Sequence, residues 1–286
     1  MAETFRKLSV QCLAPSGLYR MAYLEWGDAH NPRVLVCVHG LTRCARDFDF
    51  LASELCARYR VVCPDVPGRG DSDWLKNPLD YVAPTYVNAM VALIARLGVE
   101  SVHWLGTSMG GLIGMALASL PETPVTRLVL NDVGPVLTAA SLDRIGTYVG
   151  MAPRFPDVEA AEQYVRAVSA PFGPHSDSQW RFLTEHVVRA DPTGGYRVHY
   201  DPAIAVPFNA EKERKDVDLW KVYEAIRCPT LLLRGEHSDL LTRETAAQMA
   251  ERGPRARLSE MKGVGHAPTL MHADQIAVVR EFLLAL

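Results

Sequence analysis

The chain has 286 residues, of which 48% are hydrophobic and 22% charged, as is typical of a soluble globular protein with a large core. Its net charge of -3 provides no excess of positive charge for holding a polyanion, which argues against a nucleic-acid partner. No apolar run approaches the roughly 20 residues of a membrane span. We therefore expect a soluble, cytoplasmic protein without membrane contact that acts on a small molecule, and the sequence does not indicate its oligomeric state.

The six cysteines point neither to disulfides nor to a metal site. No two of them form a C-x-x-C pair or stand at zinc-ligand spacing with a histidine. Cys37 and Cys63 lie inside apolar runs, where buried free thiols are common. The chain also lacks the glycine-rich patterns of nucleotide-binding loops. We expect unlinked thiols, no metal and no cofactor.

Strand-like and helix-like segments alternate along much of the chain. The strand-like runs, in chain order, are residues 33–40, 60–70, 101–108, 127–135 and 228–239. The helix-like segments, with apolar residues three and four apart, are residues 47–59, 85–98 and 109–121. Uninterrupted apolar runs indicate strands buried on both faces, so the alternation predicts an α/β fold with a mostly parallel central sheet covered by helices on both faces. The stretches FRKLSVQCL and YRMAYLEWG predict an antiparallel pair at its edge.

Residues 135–227 interrupt this alternation. The segment contains no convincing buried strand and mixes helix formers with aromatic residues and prolines, as in EAAEQYVRAVSAPF. It is also far longer than an ordinary connection between a strand and a helix. We therefore expect an inserted, mainly helical cap at residues 135–227, and an α/β core formed by residues 1–134 and 228–286.

The stretch WLGTSMGGLIG, residues 104–114, places Ser108 between Gly106 and Gly110, after an apolar run and before a helix-like segment. G-x-S-x-G in this context is the pattern of a nucleophile elbow. A tight strand-to-helix turn brings the flanking residues against neighbouring backbone, where only glycine avoids a clash. The pattern predicts that Ser108 is a nucleophile at the N-terminus of a helix.

A serine nucleophile needs a base, and the base needs an acid that orients it. His266, in the glycine-rich loop GVGHAP near the C-terminus, is the predicted base. Two aspartates are candidates for the acid, because Asp239 follows the last long apolar run and Asp132 follows an earlier one in LVLNDVGP. Chain order and loop placement favour Asp239, with Asp132 as the alternative.

The stretch HGL, residues 39–41, follows a buried strand, where a second oxyanion donor is expected in this chemistry. The two predicted donors are the backbone N–H groups of Leu41 and Met109. Losing one such donor typically costs ~10²–10³ in rate.

Three further residues are candidates for substrate binding. Arg43 follows the oxyanion turn and is suited to a substrate carboxylate, although a surface salt bridge is the simpler interpretation. Trp180 and Tyr200, in the expected cap, are packing residues first and candidate pocket residues second.

Five motifs in order give the chain its resemblance to the α/β-hydrolase superfamily over essentially its whole length. They are HG (39, 40), DVPGRGDS (65–72), GTSMGG (106–111), GEHSD (235–239) and GVGHAP (263–268). The resemblance implies a Ser108, Asp239 and His266 triad and a lid at residues 135–227. A serine nucleophile argues against haloalkane dehalogenases and epoxide hydrolases, relatives that use an aspartate.

The expected activity is cofactor-free hydrolysis of a small-to-medium carboxylic ester through an acyl-enzyme. Lactone and thioester hydrolysis are the next alternatives. C–C bond hydrolases resemble the chain in SMGG, but they usually have Asn where Thr107 stands and a more glycine-rich loop where residues 41–43 stand. A non-catalytic ligand-binding protein on the same fold is the distant alternative, since it predicts a lost triad member that the sequence does not show.

Overall fold

The structure, a computed structural model, describes residues 5–210 and 213–285 as an α/β fold. The strands are β1 (Phe5–Ala14), β2 (Gly17–Trp26), β3 (Val34–Val38), β4 (Arg60–Pro64), β5 (Val102–Thr107), β6 (Val125–Asn131), β7 (Val136–Leu137), β8 (Arg154–Phe155), β9 (Val188–Ala190), β10 (Tyr196–Val198), β11 (Val217–Asp218), β12 (Thr230–Gly235) and β13 (Arg257–Met261). The α-helices are α1 (Asp49–Leu55), α2 (Ala83–Leu97), α3 (Met109–Ala118), α4 (Ala139–Gly146), α5 (Val158–Val168), α6 (Asp177–Val187), α7 (Ala205–Phe208), α8 (Trp220–Ala225), α9 (Arg243–Glu251) and α10 (Ala273–Leu284).

The central sheet has eight strands in the order β1-β2-β4-β3-β5-β6-β12-β13. Strands β1 and β2 form an antiparallel pair at one edge, with Phe5 opposite Trp26. From β4 to β13 each strand is parallel to its neighbour. The structure therefore confirms the predicted mostly parallel sheet and the antiparallel pair at its edge.

Strand β3 shows why uninterrupted apolar runs form the centre of the sheet. All five of its residues are buried. Successive side chains point to opposite faces of a strand, so Val34, Val36 and Val38 pack on the side of α2 and α3. Leu35 and Cys37 pack on the other side, with α1 and α10. Both faces are covered by helices, as expected from the sequence.

Two helix ends lie where the sequence predicts them, and one of them positions Ser108. Helix α2 ends before Gly98, which has a left-handed φ of 69° and terminates the helix as predicted. Helix α3 begins at Met109, so Ser108 is the residue that caps its N-terminus. The end of β5, the serine and the start of α3 are thus consecutive in the chain.

The segment between β6 and β12, residues 135–227, contains helices α4 to α8. It also contains short strands that the sequence did not reveal, because runs of two or three residues leave no recognisable pattern. Strands β8, β10 and β9 form one small sheet. Strands β7 and β11 form another, with Leu137 opposite Val217, and this pair joins the two ends of the segment.

The six cysteines are free thiols. Cys37 and Cys63 are buried in neighbouring parts of the sheet, and burial raises the pKa of the Cys63 thiol well above its usual range. In the part of the chain that the structure describes, none of the helices is both long and apolar enough to cross a membrane.

Candidate active site

The turn between β5 and α3 places Ser108 in a strained backbone conformation. Its φ is 51° and its ψ is -114°, a region that non-glycine residues rarely occupy. A Cβ atom on Gly106 would lie 2.2 Å from the backbone of Gly110, and one on Gly110 would lie 2.0 Å from the carbonyl oxygen of Val38. The glycines therefore permit close backbone contacts that no side chain would allow, in agreement with the steric interpretation of the G-x-S-x-G pattern.

The hydroxyl of Ser108 faces the imidazole of His266. The Oγ atom of the serine lies 3.0 Å from Nε2 of the histidine, and Nδ1 of the same ring lies 2.7 Å from Oδ2 of Asp132. The histidine side chain is 13% exposed and the aspartate is fully buried. Three residues 24 or more positions apart in the chain thus form one continuous hydrogen-bonded series.

The carboxylate of Asp132 is held in place by two further donors. The backbone N–H of Gly235 donates to Oδ1 at 2.8 Å, and the hydroxyl of Ser238 donates to Oδ2 at 2.7 Å. Asp132 itself has a left-handed φ of 56° at the end of β6. The GEHSD motif therefore contributes to the site through Gly235 and Ser238, which fix the carboxylate that faces the histidine.

The structure does not bring Asp239 to His266, and this corrects the preference for Asp239 over Asp132. The Asp239 side chain is 53% exposed and forms an ion pair with Arg144 of α4, with Nη2 and Oδ1 3.0 Å apart. Strand β6, which precedes Asp132, lies directly beside β5, whereas β12 lies one strand farther from the serine. Asp132, at the end of β6, occupies the position against the histidine.

The turn after β3 lies beside Ser108, since a Cβ atom on Gly40 would lie 3.8 Å from Cβ of the serine. The carbonyl of Gly40 accepts hydrogen bonds from Nδ1 of His39 at 2.7 Å and from the N–H of Arg43 at 3.2 Å. Because the C=O and N–H of a trans peptide point in opposite directions, the N–H of Leu41 points away from these donors. The N–H of Met109 belongs to the first turn of α3, where helix amides have no intrahelical acceptor.

His39 is fully buried and fixes this turn. Its Nε2 accepts a hydrogen bond from the backbone N–H of Val66 at 2.9 Å, so the proton of the neutral ring is on Nδ1, which donates to Gly40. Burial lowers the pKa of His39 to about 4. The neutral imidazole thus joins the turn after β3 to the loop after β4.

Arg69, which carries no signal of its role in the DVPGRGDS motif, supports the same turn. It is fully buried, and its Nε donates to the carbonyl of Leu41 at 2.8 Å. Its Nη1 donates to the carbonyl of Pro67 at 2.7 Å and to the hydroxyl of Tyr86 at 3.0 Å, while Nη2 lies 3.7 Å from the sulfur of Met109. The arginine therefore contacts both residues whose backbone N–H groups are the expected oxyanion donors, Leu41 and Met109.

A cavity of about 520 Å³ opens beside Ser108 and His266. Leu41 and Met109 line it, and so does much of the 135–227 segment. Apolar side chains from that segment that face the cavity include Leu137, Leu142, Ile145, Val168, Val198 and Phe208. A volume of this size is typical of a pocket for a small molecule.

The three candidate substrate residues have different positions. Arg43 lines the cavity, but its guanidinium binds Asp47, with Nη2 and Oδ1 2.6 Å apart. Tyr200 also lines the cavity and donates its hydroxyl to the carbonyl of Met151 at 2.6 Å. Trp180 does not line it, which corrects that expectation, because its side chain packs in a separate apolar cluster of α5 and α6.

Comparison with known proteins places the chain among hydrolases. It is 52% identical over 280 residues, 96% of both chains, to a 3-hydroxybutyrate-oligomer hydrolase of Cupriavidus necator. A solved α/β hydrolase from Novosphingobium aromaticivorans is 38% identical, with a TM-score of 0.88 and 99% of each chain covered. A solved structure of a protein from Rickettsia typhi is 35% identical, with a TM-score of 0.90 and 98% of each chain covered.

The family model for the alpha/beta hydrolase family matches residues 35–279, which include every motif named above from HG to GVGHAP. The match confirms the resemblance stated from the five motifs, and the hydrolases among the relatives confirm the expectation of an enzyme of the hydrolase class. This chain belongs to the alpha/beta hydrolase family.

Proposed function

We propose that this protein is a serine hydrolase that cleaves carboxylic esters through an acyl-enzyme, with Ser108, His266 and Asp132 as its triad. The observation that carries the proposal is the hydrogen-bonded series from the serine Oγ through the imidazole to the aspartate, with distances of 3.0 and 2.7 Å. An ionised carboxylate only accepts hydrogen bonds, so Asp132 keeps the proton of the neutral ring on Nδ1. Nε2 is then free to accept the serine proton.

The reaction follows from these positions. Ser108 attacks the ester carbonyl as His266 takes its proton at Nε2, and Asp132 stabilises the resulting imidazolium. The N–H groups of Leu41 and Met109 donate to the oxyanion of the tetrahedral intermediate. The imidazolium then protonates the leaving alcohol, and water, activated by the same histidine, releases the acid from Ser108.

Residues 135–227 serve as the cap in this proposal. Strands β7 and β11 pair at the two ends of the segment, so it leaves the core and returns to it at one place. Its side chains form much of the wall of the cavity opposite Ser108, including Tyr164, Phe172 and Tyr200. A mostly apolar, covered cavity of about 520 Å³ favours a small or medium acyl compound over a polymer.

Short oligomers of 3-hydroxybutyrate are the first substrates to test. The Cupriavidus necator relative that bears this substrate in its name is 52% identical to the chain and is covered over 96% of its length. A dimer or trimer of this acid is a small aliphatic ester, which fits an apolar cavity of the observed size. Lactones, thioesters and C–C bond substrates complete the panel, because a serine triad also supports these reactions.

The test compares the wild-type enzyme with Ser108→Ala. We expect the variant to lose hydrolysis of p-nitrophenyl butyrate and of 3-hydroxybutyrate dimers while its melting temperature and circular dichroism stay those of the wild type. A fluorophosphonate probe should label the wild type and not the variant, whereas a non-catalytic binding protein would label in neither form. Retained turnover in Ser108→Ala would refute the nucleophile assignment.

A further inference from the structure

The charged side chains that line the cavity are all of one sign. Among the described residues three arginines face it, Arg43, Arg144 and Arg214, and neither Asp nor Glu does. The remaining lining is largely apolar, apart from hydroxyl groups and the imidazole of His266. A cavity with fixed positive charge and low polarity favours an anionic ligand over a neutral one of the same shape.

The three guanidinium groups differ in how firmly they are already held. Arg43 binds Asp47 through both Nε and Nη2, at 2.9 and 2.6 Å, with the two side chains only 12% and 18% exposed. Arg214 is 14% exposed and donates to the carbonyl of Leu142 at 3.0 Å and to the amide oxygen of Asn209 at 2.8 Å. Neither arginine can bind a new anion without losing several existing hydrogen bonds, most of them partly buried.

Arg144 is held differently. Its only ion-pair partner in the described chain is Asp239, and the two side chains are 38% and 53% exposed. An exposed ion pair contributes little to stability, since water solvates both groups when they separate. Asp239 does not line the cavity, whereas Arg144 does. The guanidinium can therefore exchange this carboxylate for another one that enters from the cavity.

The ion pair with Asp239 uses only part of the Arg144 guanidinium. Nη2 donates to Oδ1 of Asp239 at 3.0 Å, whereas the buried Nε lies beside Oδ2 without forming a hydrogen bond. A carboxylate that enters from the cavity can engage both donors, the two-point arrangement in which arginine recognises a carboxylate most strongly.

We propose that Arg144 binds a free carboxylate carried by the substrate, displacing Asp239, so that the enzyme prefers esters of hydroxy acids whose acid end is unblocked. The inference rests on the proposed ester hydrolysis and names the substrate group that sets its specificity. In this inference Asp239 competes with the substrate carboxylate for Arg144, whereas Asp132 orients His266.

The experiment uses two substrates of nearly equal shape, the linear dimer of 3-hydroxybutyrate and its terminal carboxamide. In the wild type we expect kcat/KM to be higher for the free acid. In Arg144→Gln the ratio of kcat/KM for the free acid to kcat/KM for the amide should fall by about 10- to 100-fold, mainly because KM for the acid rises. A loss of this size is typical when one charged hydrogen-bond partner is removed. Arg144→Lys should recover part of the ratio, because it restores the charge without the two-point geometry.

Two further variants make the test specific. Arg214→Gln, the same substitution in the same cavity, should keep the acid-to-amide ratio within about twofold of the wild type. Asp239→Asn removes the competing carboxylate, so KM for the free acid should fall several-fold while kcat for the amide stays near the wild-type value. This variant also tests the inference if Arg144→Gln does not fold.

An unchanged ratio in Arg144→Gln, or an Asp239→Asn enzyme with no change in KM for the acid, would overturn the inference. Either result leaves hydrolysis of the carboxamide by the wild type intact. Failure of the proposed function is distinguishable, because the wild type would then hydrolyse neither substrate at Ser108.

Discussion

Asp132 and His266 are 134 positions apart in the chain, and their side chains are joined by a hydrogen bond of 2.7 Å that is almost shielded from water. Low exposure strengthens the electrostatic coupling between a carboxylate and an imidazolium, because little solvent screens it. The same carboxylate accepts from Ser238 and Gly235, so its orientation does not depend on the histidine alone. The carboxylate is therefore held in a fixed position against the imidazole.

The first prediction concerns the two candidate acids. Asp132→Asn should lower kcat for a neutral ester by about 10⁴-fold with little change in KM, because an amide at this position favours the wrong tautomer of the histidine. Asp239→Asn is the matched control and should keep kcat within about twofold. Steady-state kinetics with p-nitrophenyl butyrate separates them. A large loss of kcat in Asp239→Asn, with Asp132→Asn near wild type, would restore the original preference.

The second prediction concerns the elbow glycines. Gly110→Ala should destabilise the fold by about 3 kcal/mol or more, because the new methyl group would meet the carbonyl of Val38 at 2.0 Å and the backbone must shift. Gly98→Ala is the control, since its Cβ would meet nothing within 4 Å. Its only cost is the left-handed φ, which should lower the free energy of unfolding by about 1 kcal/mol. Urea unfolding of both variants measures the difference. Equal losses in the two variants would contradict the steric explanation.

Local pattern was enough to predict the fold and to single out Ser108 and His266, whose side chains the structure places 3.0 Å apart. Apolar runs predicted the buried strands, and the glycines around Ser108 carried the steric signature of the elbow. The carboxylate that faces His266 was harder to predict, because both Asp132 and Asp239 follow buried strands. Which of them meets His266 depends on the lateral order of strands and on a left-handed φ of 56° at Asp132, and neither is visible in spacing.

The contacts of residues 135–227 were even less predictable. Arg144 meets Asp239 only because α4 packs near the loop after β12, and no periodicity fixes that approach. Residue type makes Trp180 a packing residue first and a pocket candidate second, and α6 places it in a separate apolar cluster. Side-chain direction in an inserted segment is determined by tertiary packing, which a single sequence does not reveal.

The third prediction concerns Arg69, which supports the turn after β3. Arg69→Met should lower kcat by about 10-fold or more with a smaller effect on KM. The carbonyl of Leu41 would lose its donor, so the N–H of Leu41, the proposed oxyanion donor, would no longer be held in place. Tyr86→Phe is the control, because it removes the hydrogen bond between Tyr86 and Arg69 and leaves the hydrogen bond from Arg69 to Leu41 intact.

Binding of a trifluoromethyl ketone, which forms an oxyanion on Ser108, gives a readout that a purely structural role would not change. We expect its affinity to fall in parallel with kcat in Arg69→Met and to stay near wild type in Tyr86→Phe. A fall in melting temperature with normal kcat and normal ketone affinity would show that Arg69 stabilises the fold without positioning the turn.

The fourth prediction concerns the pH dependence of stability, where two buried groups near the turn oppose each other. Burial lowers the pKa of His39 to about 4, so between about pH 6.5 and 4 the unfolded chain binds a proton that the folded chain does not, and stability falls as pH falls. Burial raises the pKa of Asp65 from 3.8 to about 7, so in nearly the same window the folded chain binds the extra proton and stability rises as pH falls.

Removing either group should therefore change the slope of unfolding free energy against pH in opposite directions. His39→Gln, whose amide preserves one donor and one acceptor, should make the slope between pH 4.5 and 6.5 less positive, by up to about 1.4 kcal/mol per pH unit. Asp65→Asn should make it more positive by up to the same amount. Urea unfolding at several pH values measures both. Slopes parallel to the wild type in both variants would mean that neither group keeps its shifted pKa, because a group whose pKa is equal in the folded and unfolded chain binds no net proton on unfolding.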